Sequence, residues 1–283
     1  MRGISGILAS RWSILVAVVV LLGLSFVFRA PLAHIQLPGE RVFEIGEIGV
    51  TNTMLAAFLA SVLLAWFALA STHNMRETPA GLQNAAEMAV EMLLGLVEGV
   101  AGPRLGRKFF PLVATIFLFI ITCNYMGLLP GYGTIGVIEH GEEGTVLVPL
   151  LRSASTDLNT TVALALVAVI AVEYFGIRTL GAGTYLSRFI NFSGPIEFFM
   201  GLLETISELS RVISLSFRLF GNVFAGEVLL TVIGFLIPFV AVLPFYGLEL
   251  FVGAIQAFIF AILTLVFLTL ATMGHGGEAH SQH

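Results

Sequence analysis

The chain has 283 residues, of which 57% are hydrophobic and 11% charged, with a formal net charge of -5. Soluble domains carry about 25% charged residues, so this composition excludes a water-exposed globular surface. One lysine, twelve arginines and one cysteine exclude a basic stripe for nucleic acid, an internal disulfide and a cysteine-rich metal site.

The chain reads as an all-α integral membrane protein, with five or six membrane helices and one interfacial amphipathic helix. Residues 12 to 28, between Arg11 and Arg29, are apolar and at the lower length limit for a span. Segment 1–30 is therefore an extra helix or a targeting signal. The poor cleavage pattern at Arg29-Ala-Pro-Leu-Ala33 favours a retained helix. Residues 31–283 read as a single membrane domain. Apolar runs at 51 to 71, 109 to 130 and 158 to 177 are long enough to cross a core of about 30 Å, and two longer runs follow at 194 to 240 and 243 to 273. These last two are the long, tilted helices, and 194–273 is the candidate ion-conducting hairpin. Between the first two runs, residues 80 to 102 place Glu87, Glu91 and Glu98 opposite Met88, Leu93, Leu94 and Val97. That pattern predicts an amphipathic helix at the interface, with Pro79 and Pro103 as its start and stop signals.

With residue 1 in the cytoplasm, Arg2, Arg11, Arg76, Arg104, Arg107, Lys108, Arg178 and Arg188 fall on the cytoplasmic side. Arg29, Arg41 and Arg152 fall outside, beside an acidic loop at Glu139, Glu142 and Glu143. The positive-inside rule supports that orientation and returns the tail, His275 to His283, to the cytoplasm.

The chemistry is concentrated in residues 194 to 260. Ionisable groups at membrane depth are costly and mark function by default. At about 100° per residue, Glu204, Glu208, Arg211, Ser214, Arg218 and Asn222 fall within an arc of about 120° on one helix face. Glu227 points about 180° from Arg218 and lies about 13.5 Å further along the axis. On the last helix Glu249 and Gln256 are seven residues apart and share a face. Glu249 is thereby available to Glu227 across a hairpin. One arginine between two separate polar routes suits translocation through two offset half-channels joined only by a moving carrier. Arginine suits the barrier because it keeps its charge when poorly hydrated. No mobile carboxylate on a repeated apolar hairpin occurs in the chain, so a partner must supply the carrier.

The run Ser214-Leu-Ser-Phe-Arg218-Leu-Phe-Gly-Asn222-Val-Phe-Ala-Gly-Glu227, followed by Gln256-Ala-Phe-Ile-Phe260, resembles the signature of subunit a of F-type ATP synthases. Asn124-Tyr-Met-Gly-Leu-Leu-Pro130, Thr156-Asp157-Leu-Asn159 and Glu204, fourteen residues before Arg218, extend the resemblance over about residues 40 to 273. It implies a non-catalytic stator subunit in the membrane sector, packed against a ring of c subunits and joined to b-type peripheral stalk subunits and the rest of the complex. Arg218 would be the family's essential arginine, facing the ring carboxylate. Asn222, Glu227, Glu249 and Gln256 would line the outer route, with Ser214 and Glu204 lining the cytoplasmic one. Asp157 and Asn159 are weaker candidates for the entrance, as Glu208 and Arg211 are for the channel. A bacterial plasma membrane is the implied location, and no cofactor or metal is implied.

Many relatives carry a histidine at one of positions 227 and 249, whereas both are glutamate here. If the two meet, the pair shares a proton. The ion is a proton or a sodium ion. A carboxyl pair suits a proton relay, and nothing in the sequence demands a sodium cage. A self-contained secondary transporter is the alternative, but no internal repeat accompanies the site. An intramembrane enzyme lacks its nucleophile-base pair or HExxH motif, and no phosphate-binding loop of the G-x-x-x-x-G-K-[ST] type is present.

Overall fold

The computed structural model describes residues 39 to 273 apart from 47, 130, 134, 142, 143, 190 to 192 and 238 to 240, together with positions 13, 16, 19, 20 and 23. Most of the first apolar segment and the whole histidine tail therefore lie outside the described residues, as do Glu142 and Glu143. The described domain opens with an antiparallel pair, β1 (Arg41–Ile45) and β2 (Ile48–Thr51). Helix α1 (Asn52–Thr72) follows and is capped by the Thr51 side chain, which accepts from the amide of Met54 at 3.2 Å.

Helix α2 (Leu82–Gly127) joins the expected amphipathic helix to the second expected span. The two parts meet at a break. Pro103 lacks an amide hydrogen and pushes the preceding residue out of the helical region, and Gly102 meets that demand at φ 76, ψ 162. Arg107 Nε donates to Glu98 Oε1 across the break at 2.8 Å, at an exposed site.

A second hairpin, β3 (Gly136–Gly141) and β4 (Gly144–Pro149), leads into a tight helical turn at Ala154–Thr156. Helix α3 (Leu158–Leu180) starts from Asp157, whose side chain accepts from the amide of Asn159 at 2.9 Å. The short helix α4 (Ala182–Leu186) turns the chain into α5 (Pro195–Leu236), which begins with proline in its first turn. Helix α6 (Val242–Thr272) completes the hairpin. Helix α5 has 42 residues and α6 has 31. At 1.5 Å per residue α5 is about 63 Å long, about twice the hydrocarbon thickness, so it cannot stand upright in a bilayer.

Among the described residues five helices, α1, α2, α3, α5 and α6, are long and apolar enough to cross a membrane, and the protein is an integral, multi-pass membrane protein. Their core joins Ile116 and Ile120 of α2, Ala165 and Ala168 of α3, Leu215, Leu219 and Val223 of α5, and Ala257 and Phe260 of α6. A second cluster packs Val97, Phe109 and Val113 of α2 on Ala261, Leu265 and Leu268 of α6, with Val172 of α3. Small residues on α3 and α6 let the helices approach closely, as packing in lipid requires. The outward faces stay apolar, with Phe58, Trp66 and Leu69 of α1 exposed, the inverse of a water-soluble surface.

Candidate ion path

The stripe expected on α5 is present, and it divides into a paired and an unpaired part. Glu204 pairs with Arg188, just beyond α4, at 3.2 Å. Glu208 pairs with Arg211 one turn on, and the Arg211 guanidinium also sits 4.8 Å from the centre of the Phe267 ring on α6. Glu173 of α3 joins this end beside Tyr185 of α4. Burial, with Glu173 beside it, pushes the Tyr185 phenol up, so the hydroxyl stays protonated as a donor. One carboxylate oxygen of Glu173 and one of Glu208 are buried without a hydrogen-bond partner among the described residues.

Arg218 differs from Arg211. It is half-buried, its Nη2 donates to Ser214 Oγ at 3.0 Å, and no carboxylate among the described residues pairs with it. The side chain lines an open cleft of about 240 Å³ whose other walls include Ser207, Ser210, Arg211, Ser214 and Phe267. A guanidinium at membrane depth with only a hydroxyl as partner has unused donors pointing into that cleft.

Beyond Arg218 the polar groups run between α5 and α6. Asn222 Nδ2 donates to Gln256 Oε1 at 2.6 Å. Gln256 is 2% exposed, and its Nε2 has no partner among the described residues. One turn further on α5, Gly226 faces the carboxyl of Glu249, which is buried at 7% exposure. A Cβ built on Gly226 would lie 2.0 to 2.2 Å from the carboxyl atoms, so any side chain there would displace the Glu249 carboxyl from this position. Asn124 of α2, quoted above only as part of a motif, donates to the carbonyl of Gly253 at 3.0 Å, one turn of α6 before Gln256. Its Oδ1 is buried without a partner among the described residues. Glu249, Gln256, Asn222 and Arg218 thus follow one another along the helix pair.

Glu227 stands apart from that series. It points away from the Arg218 stripe, as its spacing requires, but its partner is Arg152 rather than Glu249. Arg152 Nε lies 2.9 and 3.1 Å from the two carboxylate oxygens, and Nη2 lies 2.9 Å from Oε2. Spacing along a helix gives a side chain's direction but not which loop meets it. The residues are 75 positions apart, and the only sequence signal was an arginine in the apolar run Leu150-Leu151-Arg152.

Asp157 has a full set of structural bonds. It is 4% exposed, caps α3, and accepts from the Thr53 hydroxyl at the start of α1 at 2.7 Å. Asn159 is exposed and donates from its amide side chain to Asp157 at 3.2 Å.

The chain matches the family model described as ATP synthase A chain over residues 54 to 269. It is 33% identical over 234 residues to a protein of Moorella thermoacetica named ATP synthase subunit a, covering 83% of this chain and 96% of that one. A protein of the same name from Campylobacter jejuni subsp. doylei is 36% identical over 224 residues, 78% of this chain and 89% of its own. A third, from Helicobacter pylori, is 34% identical over 247 residues, 84% of this chain and 99% of its own.

Proposed function

The chain belongs to the ATP synthase A chain family, and from that premise we propose that its α5–α6 hairpin carries protons past Arg218 to and from the carboxylate of a rotating ring of c subunits. The observation that carries this reading is Arg218 itself: an arginine at membrane depth, with no carboxylate partner among the described residues, opening into a cleft lined by Ser207, Ser210 and Ser214. The ring carboxylate is the missing counter-charge. It is ionised while it passes Arg218 and protonated when it faces lipid, so each passage releases one proton and takes up another.

Glu249, Gln256, Asn222 and Glu227 form the outer half-channel. Ser214, Glu204, Glu208 and Arg211 form the cytoplasmic one. Arg218 separates them, because a proton moving directly from one to the other would have to cross a fixed positive charge. The subunit is non-catalytic, works with b-type stalk subunits, and sits in a bacterial plasma membrane with its C-terminus in the cytoplasm. The distribution of arginines along the chain supports that orientation.

The exposed flank of α5 beside Arg218 is where the ring would pack. Ser210→Cys and Phe217→Cys, both at exposed positions, are expected to form disulfides under mild oxidation with a cysteine placed next to the ring carboxylate. Phe58→Cys on α1, 69% exposed, is expected to form none. Cross-linking from α1 but not from α5 would contradict the proposed face.

A further inference from the structure

Glu249 lies against Gly226, the residue before Glu227, yet the surroundings of the two carboxyls differ in kind. Both oxygens of Glu227 accept N–H bonds from one guanidinium, in three contacts of 2.9 to 3.1 Å. Arg152 is 7% exposed, and its guanidinium also lies 5.8 Å from the centre of the Phe224 ring. Phe224 in turn stacks on Phe220, with ring centroids 5.3 Å apart. The arginine is held from two sides, on a segment anchored by the Ser153 hydroxyl donating to the Cys123 carbonyl at 3.1 Å. Glu249, by contrast, is pressed against the bare backbone of Gly226, and no hydrogen bond or ion pair engages its carboxyl among the described residues. To protonate Glu227 is to break a side-on charge pair, whereas Glu249 can gain or lose a proton without losing a bond.

We infer that Arg152 is a positioning residue of the outer half-channel: it fixes Glu227 as a standing anion at the channel wall, so that Glu249 is the carboxyl that exchanges the travelling proton. The inference rests on the proton-conducting role proposed for the α5–α6 hairpin. In each passage Glu249 takes a proton from hydronium on the outer side, leaving water. It then passes the proton by way of the Asn222–Gln256 pair and any water held there to the ring carboxylate, and returns to its ionised form. Glu227 and Arg152 keep their charges throughout, so the Glu227 carboxylate does not compete with Glu249 for the travelling proton.

The test is ATP-driven proton pumping in sealed vesicles carrying the whole complex, normalised to assembled enzyme. Arg152→Gln releases the half-buried Glu227 carboxylate from its guanidinium and Glu227→Gln takes the carboxylate from a buried cation, and each is expected to slow pumping about tenfold. The double variant Arg152→Gln/Glu227→Gln removes both charges and is expected to recover to within about threefold of wild type, a coupling that mere packing would not produce. Glu249→Gln is expected to abolish pumping with or without Arg152→Gln. If Arg152→Gln alone does not assemble, recovery of the double variant relative to Glu227→Gln still decides the matter. Arg152→Gln pumping within twofold of wild type, a double variant no better than Glu227→Gln, or active Glu249→Gln each overturns the inference. Arg218→Ala, run alongside, separates the two levels: a variant that still pumps would overturn the conducting role itself, whatever Arg152 does.

Discussion

At the scale of single residues, two side chains meet constraints that their neighbours do not share. Among the described residues no carboxylate pairs with Arg218, whereas Arg211, Arg188 and Arg152 each have one. Gly226 lies against the Glu249 carboxyl. Gly226→Ala places a methyl on the Glu249 carboxyl and forces that side chain to move, so pumping is expected to fall about tenfold, as misplaced reacting groups do. Gly234→Ala is the matched control, because the nearest atom to a Cβ there is a Val242 methyl at 3.9 Å. Pumping at the wild-type rate by Gly226→Ala would show that conduction does not depend on where Glu249 sits. The helical face shared by Arg218, Ser214 and Asn222 was legible in the sequence, because residues on one helix carry their relative directions in their spacing. The partners Arg152 for Glu227 and Gly226 for Glu249 were not, because they come from segments brought together only by tertiary packing. Spacing made Glu249 available to Glu227, and the charge-assisted bonds of the Arg152 guanidinium engage Glu227 instead.

At the scale of elements, the five spans fall where hydropathy put them, and their ends shift by a few residues. The break between amphipathic helix and span was also readable, since a Gly-Pro pair inside a helical pattern demands one. The two short hairpins were not foreseen, because strands of four to six residues carry little weight beside apolar runs of twenty. Asp157, expected as a possible entrance group, lies at an element boundary and serves two helices at once. Asp157→Ala removes the cap of α3 and the bond from Thr53, which costs about 1 kcal/mol for the cap alone. The variant complex is expected to dissociate at a lower temperature in detergent, while Asp157→Asn, still an acceptor, restores most of that loss. Equal damage from both substitutions would assign the charge itself a role and return Asp157 to the ion path.

At the scale of the whole molecule, the spans turn apolar faces outward, the charges toward either end of α5 are paired, and Arg218 opens into a cleft available to a partner. Membership of the ATP synthase A chain family gives that opening its context. The tilt implied by the lengths of α5 and α6 allows the hairpin to run along a curved partner surface rather than meet it at one point. The central claim is that Arg218 couples two half-channels through a carrier on that partner. ATP-driven acidification of sealed vesicles carrying wild-type or Arg218→Ala protein, with and without sodium, tests it most directly. Pumping is expected to persist without sodium and to be abolished by Arg218→Ala while the complex stays assembled and still hydrolyses ATP. Coupled pumping that survives the substitution, or that requires sodium, would contradict it.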